Sequence, residues 1–118
     1  MQRFTELKVW QRAHAVVLEI YRVSGGFPQD ERFGVTSQLR RAITSVAANI
    51  AEGSRRVGKQ DYARFLNIAQ GSAAEAEYLL ILSRDLGYLP AAAFDRLIAD
   101  LDEVARMLHG LRSKVEGA

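Results

Sequence analysis

Residues 94–115 have the sequence FDRLIADLDEVARMLHGLRSKV, in which the large apolar side chains recur every three or four positions. This spacing places them along one side of an α-helix. A sustained alternation of threes and fours is typical of helices that pack side by side with a left-handed twist. The stretch therefore predicts a bundle helix whose core-facing seam contains Phe94, Leu97, Leu101, Val104, Leu108, Leu111 and Val115.

Three other segments show the same period, and no segment alternates apolar and polar residues in the manner of a strand. The seam of the first is Leu7, Trp10, His14, Val17 and Tyr21. The seam of the second is Val35, Leu39, Ile43, Val46 and Ile50. The seam of the third is Phe65, Ala69, Ser72, Ala76, Leu79, Ser83 and Leu86. We expect helices over about 6–24, 31–54, 59–86 and 90–115.

Local signals mark the ends of these helices. Thr5 is a candidate N-cap for the first, and the segment SGGFPQD (residues 24–30) ends it with two glycines and a proline. Gly87 is expected just past the end of the third helix, and Pro90 in the first turn of the fourth. Short connections favour antiparallel neighbours, so the fold class is all-α. We predict a single domain, residues 1–118, that forms an up-down-up-down, left-handed four-helix bundle.

The composition is that of a globular protein, with 48% hydrophobic and 25% charged residues in a chain of 118. The absence of cysteine excludes disulfides and thiolate metal sites. No apolar run approaches the roughly 20 residues of a membrane helix, and MQRFTELKVW lacks the apolar stretch of a signal peptide. These features predict a cytoplasmic protein without a membrane partner.

The positive charge is concentrated in the first half of the chain. The net charge is +2. Residues 1–58 contain nine Lys or Arg and five Asp or Glu, whereas residues 59–118 contain seven and nine. This asymmetry predicts a basic face contributed by the first half.

A polar ridge accompanies the apolar stripe of the second helix. At 100° per residue, its members fall beside the stripe at intervals of three and four: Gln38, Arg41, Ser45, Asn49, Glu52 and Arg56. Three interpretations remain open: a face in water, a buried polar network between helices, and a surface for a ligand or nucleic acid. In the network, Glu75 and Glu77 of the third helix are the candidate partners of Arg41. On a nucleic-acid surface, the arginines contact phosphates.

The third helix carries more apolar surface than a lone bundle requires. YLLILS (residues 78–83) is apolar on nearly every side, and AQGSAAEAE (residues 69–77) is a run of mostly small residues. A helix that is apolar all round is buried all round. These segments predict an interface with other subunits.

Few residues have the spacing that catalysis requires. His14 and His109 have no second ligand at helical spacing, and His14 is expected to be a structural histidine in the seam of the first helix. No metalloprotease, di-iron or P-loop motif is present. Glu75 and Glu77 point about 160° apart, which does not suit an acid–base pair. We therefore expect no enzymatic activity, no metal and no cofactor.

Two long stretches resemble a known family. They are FPQDERFGVTSQLRRAITSVAANIAEGSRR (residues 27–56) and YARFLNIAQGSAAEAEYLLILSRDLGYL (residues 62–89). Their patterns, Q-x-x-R-A with S-x-x-x-N-I-A-E-G and then F-L-x-I-A-x-G-S-x-x-E, are similar to those of the 23S rRNA intervening-sequence proteins. The resemblance runs from about Phe4 to Leu89, and the fourth helix matches in pattern only.

The resemblance implies a four-helix protomer that assembles into a homopentameric ring without catalytic activity. It also extends to accessory proteins of diversity-generating retroelements, which use a similar barrel to engage a reverse transcriptase and nucleic acid. The matching motif positions are Gln38, Arg41, Ser45, Asn49, Glu52, Gly53, Gly71, Ser72 and Glu75. The family assigns none of them a proven role. Gly58 replaces a serine that is frequent in relatives, and both residues suit a helix N-cap.

Two functional hypotheses follow. The first is an oligomeric protein without enzymatic activity that associates with RNA or another nucleic acid. Its candidate phosphate contacts are Arg12, Arg40, Arg41, Arg55, Arg56 and Lys59. The second is an interaction scaffold, a ring that binds a partner protein without touching nucleic acid. The apolar third helix and the acidic second half of the chain favour it.

Overall fold

The computed structural model describes residues 3–117; Met1, Gln2 and Ala118 lie outside the described residues. Four α-helices account for most of this span: α1 (Lys8–Ser24), α2 (Val35–Ser54), α3 (Lys59–Asp85) and α4 (Ala91–Gly117). Short 3₁₀ turns at Phe4–Glu6 and Gln29–Glu31 precede α1 and α2. Residues 3–117 contain no strand, so the predicted all-α class and helix count are confirmed.

The helices form a closed square. Each packs against the next in the chain, and α4 returns to pack against α1. The antiparallel arrangement is visible in side-chain pairs that run in opposite senses along α1 and α4. Arg12 pairs with Glu103 at 2.9 Å, and Glu19 pairs with Arg96 at 2.7 Å. The elongated molecule, 45 × 24 × 20 Å, is a packed four-helix bundle.

The predicted seams of α2 and α4 largely form the core. All five predicted residues of α2 are buried, and so are Phe94, Leu97, Leu101, Val104 and Leu108 of α4. Leu111 and Val115 are partly buried against the same cluster. The α3 seam is correct through Ser83, whose hydroxyl donates to the Leu79 carbonyl oxygen at 2.7 Å. Ser72 in that seam is partly buried, and Leu86 at its end is exposed.

The predicted seam of α1 is wrong by one position. The fully buried residues are Val9, Ala13, Val16, Ile20 and Ser24. Of the predicted seam, Leu7, Trp10 and Val17 are only partly buried against the core, and His14 and Tyr21 are exposed. Both sets have helical spacing, and they lie about 100° apart on the helix. Small residues such as Ala13 fit where helices approach closely, whereas Trp10 and Tyr21 keep their polar atoms near water. His14 is therefore exposed, and its ring stacks on Trp10 with centroids 4.9 Å apart.

The helix ends also differ in part from prediction. Thr5 is not an N-cap, because it lies within the first 3₁₀ turn and α1 begins three residues later. The helix expected from residue 31 begins at Val35, after the second 3₁₀ turn and Gly34. Pro90 lies just before α4, and its carbonyl oxygen accepts from the Phe94 amide at 2.9 Å.

The prediction for Gly87 is confirmed. It has φ of 82°, the left-handed conformation that glycine adopts without penalty. The Tyr88 amide donates to the Ser83 carbonyl oxygen and the Gly87 amide to that of Arg84, both at 2.9 Å. These two bonds form a Schellman motif that ends α3.

The connection before α2 is fastened to the turn before α4. The Tyr88 hydroxyl donates to Glu31 Oε2 at 2.8 Å. This hydrogen bond raises the pKa of the Tyr88 phenol above its ordinary value.

None of the described helices is long and apolar enough to cross a membrane.

Candidate nucleic-acid interface

The polar ridge of α2 is divided along its length. Ser45 and Asn49, in its middle, are partly buried. The hydroxyls of Ser45 and Ser72 lie 2.9 Å apart and share a hydrogen bond between α2 and α3. Asn49 Nδ2 donates to the carbonyl and hydroxyl oxygens of Ser45 at 2.8 and 3.0 Å. The middle of the ridge is thus a small polar joint between helices.

The ends of the ridge face water. Gln38, Arg41, Glu52 and Arg56 are all exposed. Arg41 and Glu75 line the same shallow depression between α2 and α3. Within residues 3–117, however, Arg41 forms no ion pair or hydrogen bond, and neither Glu75 nor Glu77 pairs with it. The expected network around Arg41 does not form within the protomer.

Gly53 has a packing role that its sequence position alone does not reveal. It is buried in the last turn of α2, against the beginning of α3. A Cβ atom there would lie 2.8 Å from Cβ of Phe65 and 3.2 Å from Cδ1 of Tyr62. The glycine of the N-I-A-E-G motif therefore lets α3 approach. Burial in this contact raises the pKa of the Tyr62 phenol.

Two of the predicted phosphate contacts connect helices instead. Arg40 Nε donates to Ser24 Oγ at 2.8 Å, and its Nη2 donates to the Tyr21 carbonyl oxygen at 3.1 Å. Its guanidinium carbon also lies 4.6 Å from the centre of the Tyr21 ring. Arg12 lies between α1 and α4, where it pairs with Glu103. Both side chains hold α1 to its neighbours.

Three more of the predicted cations, Arg55, Arg56 and Lys59, surround the turn from α2 to α3, whereas Arg41 lies farther back along α2. Arg56 pairs with Glu52 at 2.7 Å and lies over the Phe65 ring. Arg55 lies 5.6 Å from the centre of the Phe4 ring. Lys59 is the first residue of α3, and Val57 at the tip of the turn is fully exposed. Here a cationic turn projects from the bundle.

The topology brings further cations to this end. We define the basic end as residues 3–6, 52–64 and 110–117. Arg55 over the Phe4 ring joins the first two segments. Arg112 bonds to Asn67 of α3 at 2.9 Å, which places the third segment beside the beginning of α3. These segments contain seven Lys or Arg and four Asp or Glu, whereas the rest of the chain contains nine and ten. The excess positive charge therefore lies at one end of the bundle.

This distribution corrects the expectation of a basic first half. Within the basic end, the first half of the chain contributes Arg3, Arg55 and Arg56, and the second half contributes Lys59, Arg64, Arg112 and Lys114. Sequence analysis missed Arg64, Arg112 and Lys114. They are interspersed with acidic residues in the sequence, and the antiparallel packing of α3 on α4 is needed to bring them together.

The second family motif lies partly on an exposed face of α3. Ile68, Tyr78 and Leu86 are exposed, Tyr78 to 59%. At 100° per residue they share a sector of about 80° with Gly71. A Cβ atom at Gly71 would meet nothing within 4 Å. YLLILS is thus divided: Leu79, Leu80 and Ser83 are buried, whereas Tyr78 is outside.

No group of three His, Cys, Asp or Glu side chains within residues 3–117 is arranged to hold a metal ion. Both His14 and His109 are exposed, on different helices. The fold and the charge distribution thus define the class of protein: a small antiparallel four-helix bundle with one basic end.

The chain belongs to the family of 23S rRNA-intervening sequence proteins, whose model matches residues 5–110. The match extends well into α4, beyond the stretch in which the sequence resemblance is evident. Among solved structures, the chain is similar to a protein of unknown function from the S23 ribosomal protein family of Bacteroides thetaiotaomicron. The two share 25% identity with a TM-score of 0.80, and the match covers 88% of this chain and 97% of that one. No curated protein matches the chain.

Proposed function

We propose that this protein is a self-associating bundle without enzymatic activity that binds RNA or another nucleic acid through its basic end. The observation that carries the proposal is the concentration of excess positive charge on one end of the bundle. Nucleic-acid backbones present closely spaced phosphates, so a localised group of cations gains more from them than dispersed charge does. The family's name refers to sequences within 23S rRNA, which makes RNA the first nucleic acid to test.

The geometry of the turn from α2 to α3 supports contact with a large ligand. Arg55 is exposed, and its described contact is with an aromatic ring rather than a carboxylate. Its hydrogen-bond donors therefore remain available for phosphate oxygens. Arg56 pairs with the carboxylate of Glu52, and Arg64 pairs with that of Asp61. Exposed ion pairs of this kind exchange partners at little cost. The turn thus offers several donors on a convex surface.

Self-association is supported by the exposed apolar face of α3. Ile68, Tyr78 and Leu86 lie beside Gly71, so a neighbouring helix can approach the backbone closely there. A ring of protomers repeats the basic end around its axis and multiplies a modest local charge. A homopentamer is the ring that the family resemblance implies. A cytoplasmic location accords with this role and with the absence of cysteine.

The first experiment measures molecular mass by light scattering after size-exclusion chromatography. It is repeated with a mixed RNA at about 50 mM and about 500 mM salt. We expect a peak near five times 13.1 kDa that shifts with RNA at low salt only. For each phosphate contact, the logarithm of the binding constant should fall by about 0.7–0.9 for every tenfold rise in salt concentration. A failure to bind either single- or double-stranded nucleic acid at low salt would reject the proposal.

A pair of variants locates the binding surface. Arg55→Gln removes a cation from the basic end, and Arg41→Gln removes one from the same helix about 20 Å away. Both side chains are exposed, and neither pairs with a carboxylate of residues 3–117. We expect Arg55→Gln to weaken RNA binding and Arg41→Gln to change it less. Equal losses would show that the predicted arginines of α2 act together and that the basic end has no special role.

The alternative is an interaction scaffold that binds a partner protein without nucleic acid. The α3 face favours it, because exposed aromatic and aliphatic side chains are typical of protein interfaces. A co-purified partner that survives nuclease treatment and is lost in Tyr78→Ser supports this alternative. If Tyr78→Ser instead lowers the mass of the protein alone, the face is a contact between copies of the chain.

A further inference from the structure

An open depression lies within the basic end, between the beginning of α3 and the end of α4. Its volume is about 440 Å³, within the range of small-molecule sites. Three cationic side chains line it: Lys59 and Arg64 from α3, and Arg112 from α4. The amide of Asn67 and the carboxylate of Glu116 complete the polar part of the wall. Two helices from different parts of the chain therefore supply one cationic pocket.

Arg112 is held in a defined orientation in this wall. Its Nη1 donates to Asn67 Oδ1 at 2.9 Å, and its side chain is only 28% exposed. Its Nε is buried and lacks a hydrogen-bond partner, with the nearest carboxylate oxygen, on Glu116, 3.9 Å away. A buried guanidinium donor without an acceptor is unfavourable. An acceptor that enters the pocket can satisfy this donor without moving the side chain far.

The remaining wall also favours an anion. Arg64 gives two of its donors to Asp61 and, at 59% exposure, keeps others free for a ligand. Gly58 caps α3 without a side-chain hydrogen bond. The first-turn amides of α3 therefore add their partial positive charge to that of the side chains. With Glu116 as the one acidic residue in the lining, the pocket carries an excess of two positive charges.

We propose that this pocket binds a phosphate group. This proposal rests on the function proposed above, because it makes the pocket the site where a phosphate of the nucleic-acid backbone binds. Two guanidinium groups present planar sets of donors that match phosphate oxygens. The two excess positive charges of the pocket are enough to balance the single negative charge of a phosphodiester or the two charges of a free phosphate group. Glu116 competes with the phosphate for Arg112, and because it is 58% exposed it can turn away into water.

The experiment compares charge changes inside and outside the pocket. Fluorescence anisotropy measures the affinity for a labelled single-stranded RNA at low salt. Arg112→Gln is expected to weaken binding about tenfold, because it removes charge-assisted hydrogen bonds. Lys114→Gln removes the same charge two residues away, outside the lining, and should change affinity about twofold. Arg112→Lys keeps the charge without the planar donors and should fall between wild type and Arg112→Gln.

A second pair tests the opposite sign. Glu116→Gln removes the competing carboxylate and should tighten RNA binding, whereas Glu6→Gln makes the same change at the basic end outside the pocket and should have less effect. Circular dichroism melts show that each variant is folded. Equal effects of Arg112→Gln and Lys114→Gln, together with equal effects of the two glutamate variants, would overturn the pocket.

Pyrophosphate separates this proposal from the proposed function. It is titrated while nuclear magnetic resonance follows the Gln60 amide and Arg112 Nε. If pyrophosphate changes the chemical shifts of these atoms and the protein binds no RNA, the phosphate pocket is retained and the nucleic-acid function is rejected. RNA binding that Arg112→Gln does not affect specifically would retain the function and reject the pocket. No response to either probe would reject both.

Discussion

Gly53 shows how one atom sets the distance between two helices. It lies where α2 ends against Phe65 and Tyr62, and the space for a methyl group is already occupied. Most positions in a helix tolerate substitution by alanine, because alanine is the best helix former. At this position the packing opposes that preference. The motif glycine is therefore explained by contact between helices rather than by backbone conformation.

Gly53→Ala should lower the free energy of unfolding by about 1–3 kcal/mol, because the added methyl group overpacks the contact with α3. Urea unfolding followed by circular dichroism measures the change. Gly110→Ala is the matched control, since a Cβ atom there meets nothing within 4 Å in the interior of α4. It should raise stability by up to about 1 kcal/mol. If both variants gain stability, α3 does not approach α2 as described.

Between helices, the polar joint of α2 and α3 shows why the ridge of α2 contains short polar residues. Long charged side chains extend into water, whereas serine and asparagine are short enough to bond across a close helix contact. Ser45 hydrogen-bonds to both Ser72 and Asn49 where α2 packs against α3. Directional bonds of this kind favour one register of two helices over others.

A double-mutant cycle tests this joint. Ser45→Ala and Ser72→Ala should each destabilise the protein, and the double variant should cost less than their sum. The coupling should be about 0.5–1 kcal/mol, since the pair is partly buried. Unfolding in urea gives all four values. Ser113→Ala, at an exposed serine of α4, should change stability by less than about 0.5 kcal/mol. Additive losses would mean that the two hydroxyls do not interact.

Across the bundle as a whole, the closure of α4 onto α1 joins elements that are far apart in the chain. Glu19 accepts from Arg22 in the same helix and from Arg96 of α4 at 2.7 Å. The hydrogen bond from Arg22 is the largest cause, with Arg96 adding to it, that lowers the pKa of the Glu19 carboxyl to about 2. This carboxylate therefore links the stability of the protein in acid mainly to its pair with Arg22 and in part to the contact between α1 and α4.

The stabilisation from Glu19 should be present above the unfolded pKa near 4.5 and lost as the pH falls towards about 2. In that interval the unfolded chain binds the proton and the folded chain does not. Glu19→Gln should lower stability near neutral pH by about 1 kcal/mol, given the partial exposure of the pair. The difference from wild type should shrink as the pH falls from about 4.5 and vanish once the pH passes below about 2. Urea midpoints across this range measure it.

Asp102→Asn is the control for the pH experiment, because Asp102 pairs with Arg106 within α4 and both are well exposed. It should change the midpoint little at any pH, since exposed pairs contribute little. A difference between wild type and Glu19→Gln that persists unchanged at the acidic limit would show that the effect arises from packing rather than from the charge.

The four helices, the seams of α2 and α4, and the glycine stop after α3 were predictable from the residues. They depend on local periodicity and backbone conformation, which neighbouring residues determine. The α1 seam was missed because two adjacent stripes have the same period. Which of them faces inward depends on the side chains of α2 and α4.

The basic end and the role of Gly53 likewise required the folded bundle. The order of charges along the sequence does not give the charge distribution on the surface. The fold decides which distant residues become neighbours, as Arg64 and Arg112 do here. The amino-acid pattern therefore established an all-α bundle and its family. The packing of antiparallel helices established where its charge, its pocket and its close contacts lie, because these depend on distances between residues that are remote in sequence.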